Sequence, residues 1–88
     1  MSRRLRIRPG VVEWRELEQE VVAVDTRRSL YMAVNRSGAI LWPALLEGAE
    51  VNELVDRLME AYGLDRTTAA RDVDTFVQAL ENQDLLEP

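Results

Sequence analysis

The reactive side chains of this sequence do not assemble a catalytic set. There is no cysteine and no histidine, which removes thiolate nucleophiles, imidazole bases, disulfides and most zinc sites together. Ser2, Ser29 and Ser37 therefore have no imidazole to activate them. Acid pairs occur on predicted helices, Asp72 with Glu81 and Glu53 with Glu60. Their spacing does not separate a general acid from a general base, and they read as solvated face charges. Asp72 and Asp74 point in different directions around a helix, which weakens a carboxylate metal site. The glycines are isolated, so no loop cradles a phosphate. We expect no enzyme, no cofactor and no metal. The chemistry that remains belongs to the backbone. An outer strand presents unpaired N–H and C=O groups to any extended segment, and proteins blunt such edges with charge, proline or bulges. The run Leu30-Tyr31-Met32-Ala33-Val34 contains no charge and no proline. Such an edge can take up a peptide as a further strand, with pockets for alternate side chains. Cover by a helix or loop, or protection by brevity, is the plainer explanation of the same run.

The elements that position this run follow from the period of the apolar residues. Before residue 35 they alternate. Val12–Leu17 is a first strand, Glu18-Gln19 a tight turn, and Glu20–Asp25 a second, β-branched strand. Thr26–Ser29 is a polar loop, and Leu30–Val34 a third strand. Short connections imply an antiparallel meander. Leu30, Met32 and Val34 share one face; Tyr31 and Ala33 share the other. From Asn35, a good N-cap, the period turns helical. A first helix runs to about Glu47, before Gly48, and carries Ile40, Leu41, Trp42, Leu45 and Leu46. That spread makes it the most buried helix. Pro43 lies inside it and should bend or break it. A second helix, Val51–Tyr62, has an amphipathic stripe of Val51, Leu54, Val55, Leu58, Met59 and Tyr62, closed by Gly63. A third begins after the Asp65 cap and runs to about Gln83, with Ala69, Val73, Phe76, Val77 and Leu80 as its stripe. Asp84 takes the left-handed cap position where Gly is commoner, and Leu85 and Leu86 pack back. The fold class is α+β: a three-stranded antiparallel β-meander followed by three helices that cover one sheet face.

Eighty-eight residues with 47% hydrophobic side chains form one globular domain around one core. No apolar run approaches the roughly 20 residues of a membrane span. Met1-Ser2-Arg3-Arg4 is basic but no apolar stretch follows, so we expect neither a signal peptide nor a membrane partner. A cytoplasmic location fits the absence of cysteine. All eleven basic residues are arginine. Residues 1–36 are net basic and residues 37–88 strongly acidic, which makes the helical half a poor phosphate binder and suits a basic or neutral peptide better. Arg3, Arg4, Arg6 and Arg8 offer a dock for an acidic partner enzyme, but a solvated, partly disordered tail is the expectation, residues 1–5 above all.

Taken in order, certain segments form a familiar series. They are Val24-Asp25-Thr26, Leu30–Asn35, Ser37-Gly38-Ala39-Ile40-Leu41-Trp42, Val51–Val55, Asp72-Val73, Phe76–Leu80 and Leu85-Leu86. With that order and spacing the chain resembles the PqqD-like family, the recognition elements that bind leader peptides of ribosomally made natural products. The resemblance covers the chain from about Leu5 to Glu87. It implies a winged-helix-like domain in which a leader adds to the third strand and packs in a groove against the third helix. On this sequence the strand contacts would be Leu30, Tyr31, Met32, Ala33 and Val34. The helix wall would include Asp72, Phe76 and Ala79, with Val73 and Leu80 deeper. Asp72 would meet a basic leader residue or hold the helix register; Phe76 and Met32 also have an ordinary reading as core. Pro43 and Asp84 depart from the family pattern. Within the family the chain looks most like the free-standing leader-binding half of a split lasso-peptide B protein. Its partners would then be the precursor leader peptide, a leader peptidase and a macrocyclase.

Three alternatives stand beside this one. The first is a PqqD-type peptide chaperone for a radical-enzyme pathway. The second is a winged-helix DNA-binding domain with Arg27-Arg28 at the wing tip; there the third helix sets Arg66 and Arg71 against Asp72, Asp74 and Glu81, the wrong sign for groove reading, so we expect no nucleic acid. The third is a dimerisation module that uses the same free edge.

Overall fold

The computed structural model describes residues 4–18 and 20–88. Its elements, in chain order, are β1 (Arg4–Leu5), β2 (Val12–Leu17), β3 (Glu20–Asp25), β4 (Leu30–Val34), α1 (Arg36–Glu47), β5 (Ala49–Glu50), α2 (Val51–Tyr62) and α3 (Arg66–Asn82). The expected meander forms, in the order β2-β3-β4 with antiparallel pairing throughout. Its register places Trp14 opposite Ala23 and Ala23 opposite Met32. Residues directly opposite share a face, so these three look toward the helices, as do Val21 and Val34. Along β3 the alternation buries Val21, Ala23 and Asp25. Trp14 meets Trp42 of α1 edge-on, with ring centroids 6.3 Å apart.

The helices begin where side-chain chemistry dictates. Asn35 accepts a hydrogen bond from the Gly38 N–H at 2.9 Å, and Asp65 accepts from the Thr68 N–H at 2.8 Å. Each satisfies one of the free donors of a first turn. Gly63 ends α2 at φ 65°, the left-handed cap position. Helix α1 is the buried centre: Leu41, Trp42 and Leu45 are each 0% exposed. The expected bend or break at Pro43 is not a break, since α1 is continuous across it. Pro43 is exposed while Leu41, Trp42, Ala44 and Leu45 around it are buried. Burying side chains of that size contributes about 1.5–3 kcal/mol each, which outweighs the roughly 3 kcal/mol cost of an interior proline.

The N-terminal expectation is corrected. From Arg4 onward the segment is not a solvated tail. β1 pairs with β5 in a second, two-stranded sheet, Leu5 opposite Ala49, and Ile7 bridges to Leu86. Leu5 and Ile7 are 2% and 3% exposed. The alternation Arg4-Leu5-Arg6-Ile7-Arg8 buries its apolar residues and leaves its arginines at or near the surface. Residues 1–3, Arg3 among them, lie outside the described residues, as does Gln19 of the predicted β2–β3 turn. Among the described residues no helix is long and apolar enough to cross a membrane.

Candidate functional site

Strand β4 is the outer strand of the meander, and among the described residues no strand pairs with its far edge. The opposite edge, β2, carries Glu13, Arg15 and Glu16 in six residues, charges that discourage further pairing. β4 carries none. From Tyr31 on, its residues alternate in the expected sense: Tyr31 is 78% exposed and points away from the helices, Met32 is half-buried, and Val34 is 3% exposed; Leu30, expected on the face of Met32 and Val34, is exposed at the strand's start, beyond the cover of the helices.

Beside this edge lies a groove of about 370 Å³. Met32, Ala33 and Val34 form the strand wall; Asp72, Thr75, Phe76 and Ala79 form the helix wall; Ser37, Gly38 and Leu41 of α1 close the back. Asp72, Thr75, Phe76 and Ala79 are spaced by three, four and seven residues, so one stripe of α3 supplies that wall. The back is shaped by Gly38. A Cβ there would lie 2.5 Å from Val34 Cγ1 and 2.7 Å from Phe76 Cε1, so only glycine lets α1 approach this closely. Phe76 is held half-buried between α1 and the open groove.

Six of the ten residues expected from the sequence come together here: Met32, Ala33, Val34, Asp72, Phe76 and Ala79. Leu30 and Tyr31 stand on the same strand outside the groove lining, both exposed. Val73 and Leu80 face the core, at 1% and 0% exposure, consistent with the deeper position expected of them. Asn35, Ser37, Gly38, Leu41, Thr75 and Gln83 also line the groove and are not among the contacts expected from the sequence. Thr75 could have been found from the helical spacing. Gly38 could have been found as a glycine in a first helical turn with no turn geometry to require it.

The groove lining is mixed: Met32, Val34, Leu41, Phe76 and Ala79 are apolar, and Asn35, Ser37, Asp72, Thr75 and Gln83 are polar. Asp72 is half-buried and has no ion-pair partner among the described residues. Its carboxylate is available to a basic group. The Thr75 hydroxyl already donates to the Arg71 carbonyl at 3.0 Å. The two wing arginines and Arg66 of the third helix are engaged elsewhere. Arg27 and Arg28 bond to Asp25, Asp84 and the Gln83 carbonyl, and Arg66 pairs with Asp56 at 2.6 Å. The arrangement suits main-chain pairing and side-chain pockets, not phosphate capture.

Comparison with known proteins agrees with this geometry. The structure is similar to that of "TbiB1 in Complex with the TbiA(beta) Leader Peptide", at 33% identity and a TM-score of 0.83, covering 93% of this chain and 94% of that one. It is also similar to "Lasso peptide synthetase B1 complexed with the leader peptide", at 26% identity and a TM-score of 0.80, covering 96% and 98%. No curated protein matches the chain. The profile of the family described as "Coenzyme PQQ synthesis protein D (PqqD)" matches residues 20–86, which hold strands β3 and β4 and all three helices, and the chain therefore belongs to the PqqD family.

Proposed function

We propose that this domain binds the leader region of a ribosomally made precursor peptide as a further strand on β4, and delivers that precursor to a leader peptidase and a macrocyclase in lasso-peptide biosynthesis. The single observation that carries the reading is the uncharged edge of β4 lying open beside a groove that Met32, Ala33 and Val34 share with α3. The two leader-bound structural relatives support it. The peptide backbone supplies affinity by pairing with β4, and side chains on its inner face enter the groove against Phe76, Ala79 and Met32. Asp72 receives a basic leader residue at the rim. Leu30 and Tyr31 extend the pairing strand, and Val73 and Leu80 support the helix wall from beneath. The domain makes and breaks no bonds. It raises the local concentration of the core peptide at the processing enzyme, as a tether does.

Fluorescence polarisation tests this with the leader of the precursor encoded beside this chain, and with the TbiA(beta) leader as a second probe. Binding with a Kd between about 10 nM and 10 μM is expected; absence of binding to both leaders would refute the proposal. Met32→Glu places an unpaired charge at the strand wall and should weaken binding at least about tenfold with the circular dichroism spectrum unchanged.

A further inference from the structure

The β3–β4 hairpin is bonded to the C-terminal end of α3 by residues far apart in sequence. Arg27 donates from Nη2 to the Asp84 carbonyl at 3.0 Å and from Nη1 to the Asp84 carboxylate at 3.4 Å. Arg28 donates from Nη2 to the Gln83 carbonyl at 3.0 Å. Both arginines are anchored from behind by Asp25, whose side chain is 1% exposed. Arg27 Nε and Nη2 lie 3.2 Å from its two oxygens, and the Arg27 main-chain N–H donates to Oδ1 at 2.9 Å. On the far side Arg8 bonds the Asp84 carboxylate at 2.9 Å.

Asp84 sits at φ 57°, after α3 closes with the Leu85 N–H donating to the Leu80 carbonyl at 3.0 Å. Glycine adopts that conformation without cost and aspartate does not. The carboxylate offsets the cost by accepting from two arginines on two different segments. The location gives this arrangement a use. Gln83 lines the groove, and β4 begins two residues after Arg28. The bridge therefore joins the loop that leads into β4 to the residues that directly follow α3, Gln83 of the groove lining among them.

We propose that the Asp25–Arg27/Arg28–Asp84 bridge is a positioning element of the groove, closing it at the Leu30 end and fixing the separation of β4 from α3. It limits an added strand to the five residues of β4, a length of about 17 Å. The consequence for leader binding rests on the proposed function; the consequence for groove width does not.

Asp84→Gly tests both. It removes the carboxylate yet favours the backbone conformation, so the fold is not endangered. The protein has no cysteine, so nitroxides at Ala33→Cys and Gln78→Cys report the β4–α3 distance without background. The Asp84→Gly form should show a broadened distance distribution, and Asp84→Asn, which keeps one acceptor oxygen, an intermediate one. In unlabelled protein, Asp84→Gly should weaken leader affinity about threefold to fivefold while its denaturation midpoint stays level or rises. Loss of a residue that served stability alone would lower the midpoint and leave the affinity of the folded protein unchanged. Arg27→Ala with Arg28→Ala also removes the bonds to the Asp84 and Gln83 carbonyls, and a distance distribution unchanged in that variant and in Asp84→Gly overturns the proposal whatever the leader does. A broadened one with unchanged affinity overturns the role in leader binding. If the unaltered protein binds no leader, the proposed function fails, and the distance distribution still decides the bridge.

Discussion

Gly38→Ala sets two effects of opposite sign against each other. On helix propensity alone the change is favourable, since alanine is better than glycine by up to about 1 kcal/mol within a helix, and by less at the third residue of α1. Packing opposes it. The new methyl would lie 2.5 Å from Val34 Cγ1 and 2.7 and 3.0 Å from Phe76 Cε1 and Cζ. Val34 is 3% exposed and locked opposite Val21, so it cannot withdraw. Phe76 can move only outward, into the groove. Overpacking of this kind costs about 1–3 kcal/mol, so the net effect should be destabilisation of about 1 kcal/mol. Urea denaturation followed by tryptophan fluorescence measures it, with the fully buried Trp42 as reporter and an unchanged m-value as the check on two-state behaviour. The displaced Phe76 ring should also cost about tenfold in leader affinity, a loss far larger than the folded fraction explains. A variant more stable than the parent with undiminished affinity would refute the close approach of α1 to the groove.

Pro43→Ala should stabilise the domain by about 2 kcal/mol: the interior-helix penalty of about 3 kcal/mol is removed, less roughly 0.4–1 kcal/mol for the freer unfolded chain. Its denaturation midpoint reads this directly, and leader affinity should not change. Acid should destabilise the fold with a defined sign. Hydrogen bonds from Arg27 to Asp25, from Thr68 to Asp65 and from Arg8 to Asp84 hold these three carboxyls below their ordinary value of 3.8. The folded state thus binds protons less readily than the unfolded one. The stabilisation is complete above the unfolded value and is lost as pH falls through the lowered folded values. Urea midpoints should be level from about pH 7 to pH 5 and fall below about pH 4, and Asp84→Asn should flatten part of that fall.

Where structure is decided locally, the sequence announces it. Asn35 and Asp65 cap their helices through bonds to residues three positions on, and the alternation in Glu20–Asp25 and Leu30–Val34 sets the faces of the meander. Features decided by distant partners were harder to read. Leu5 and Ile7 are buried only because Ala49, Leu45 and Leu86 meet them from remote parts of the chain, and the same alternating run in isolation would be solvated. Pro43 is tolerated because its neighbours are buried, a tertiary effect that overrides propensity. In the groove, the strand wall and the α3 stripe followed from period, whereas the back wall did not. Ser37, Gly38 and Leu41 join it through the packing of α1 behind Val34 and Phe76, which no local pattern encodes. Asp84 read as a departure from the glycine expected at its position; the two arginines that give it a reason lie in other segments.

The central claim is that the leader pairs with β4. Hydrogen exchange of main-chain amides, followed by NMR with and without saturating leader, tests it most directly. The account predicts slowed exchange confined to alternate amides of Leu30–Val34, whose outward N–H groups gain acceptors, with chemical-shift changes at Asp72, Phe76 and Ala79 along α3. Protection on β2, or shifts centred on the cleft among Glu16, Ile40 and Tyr62 with β4 unaffected, would contradict it.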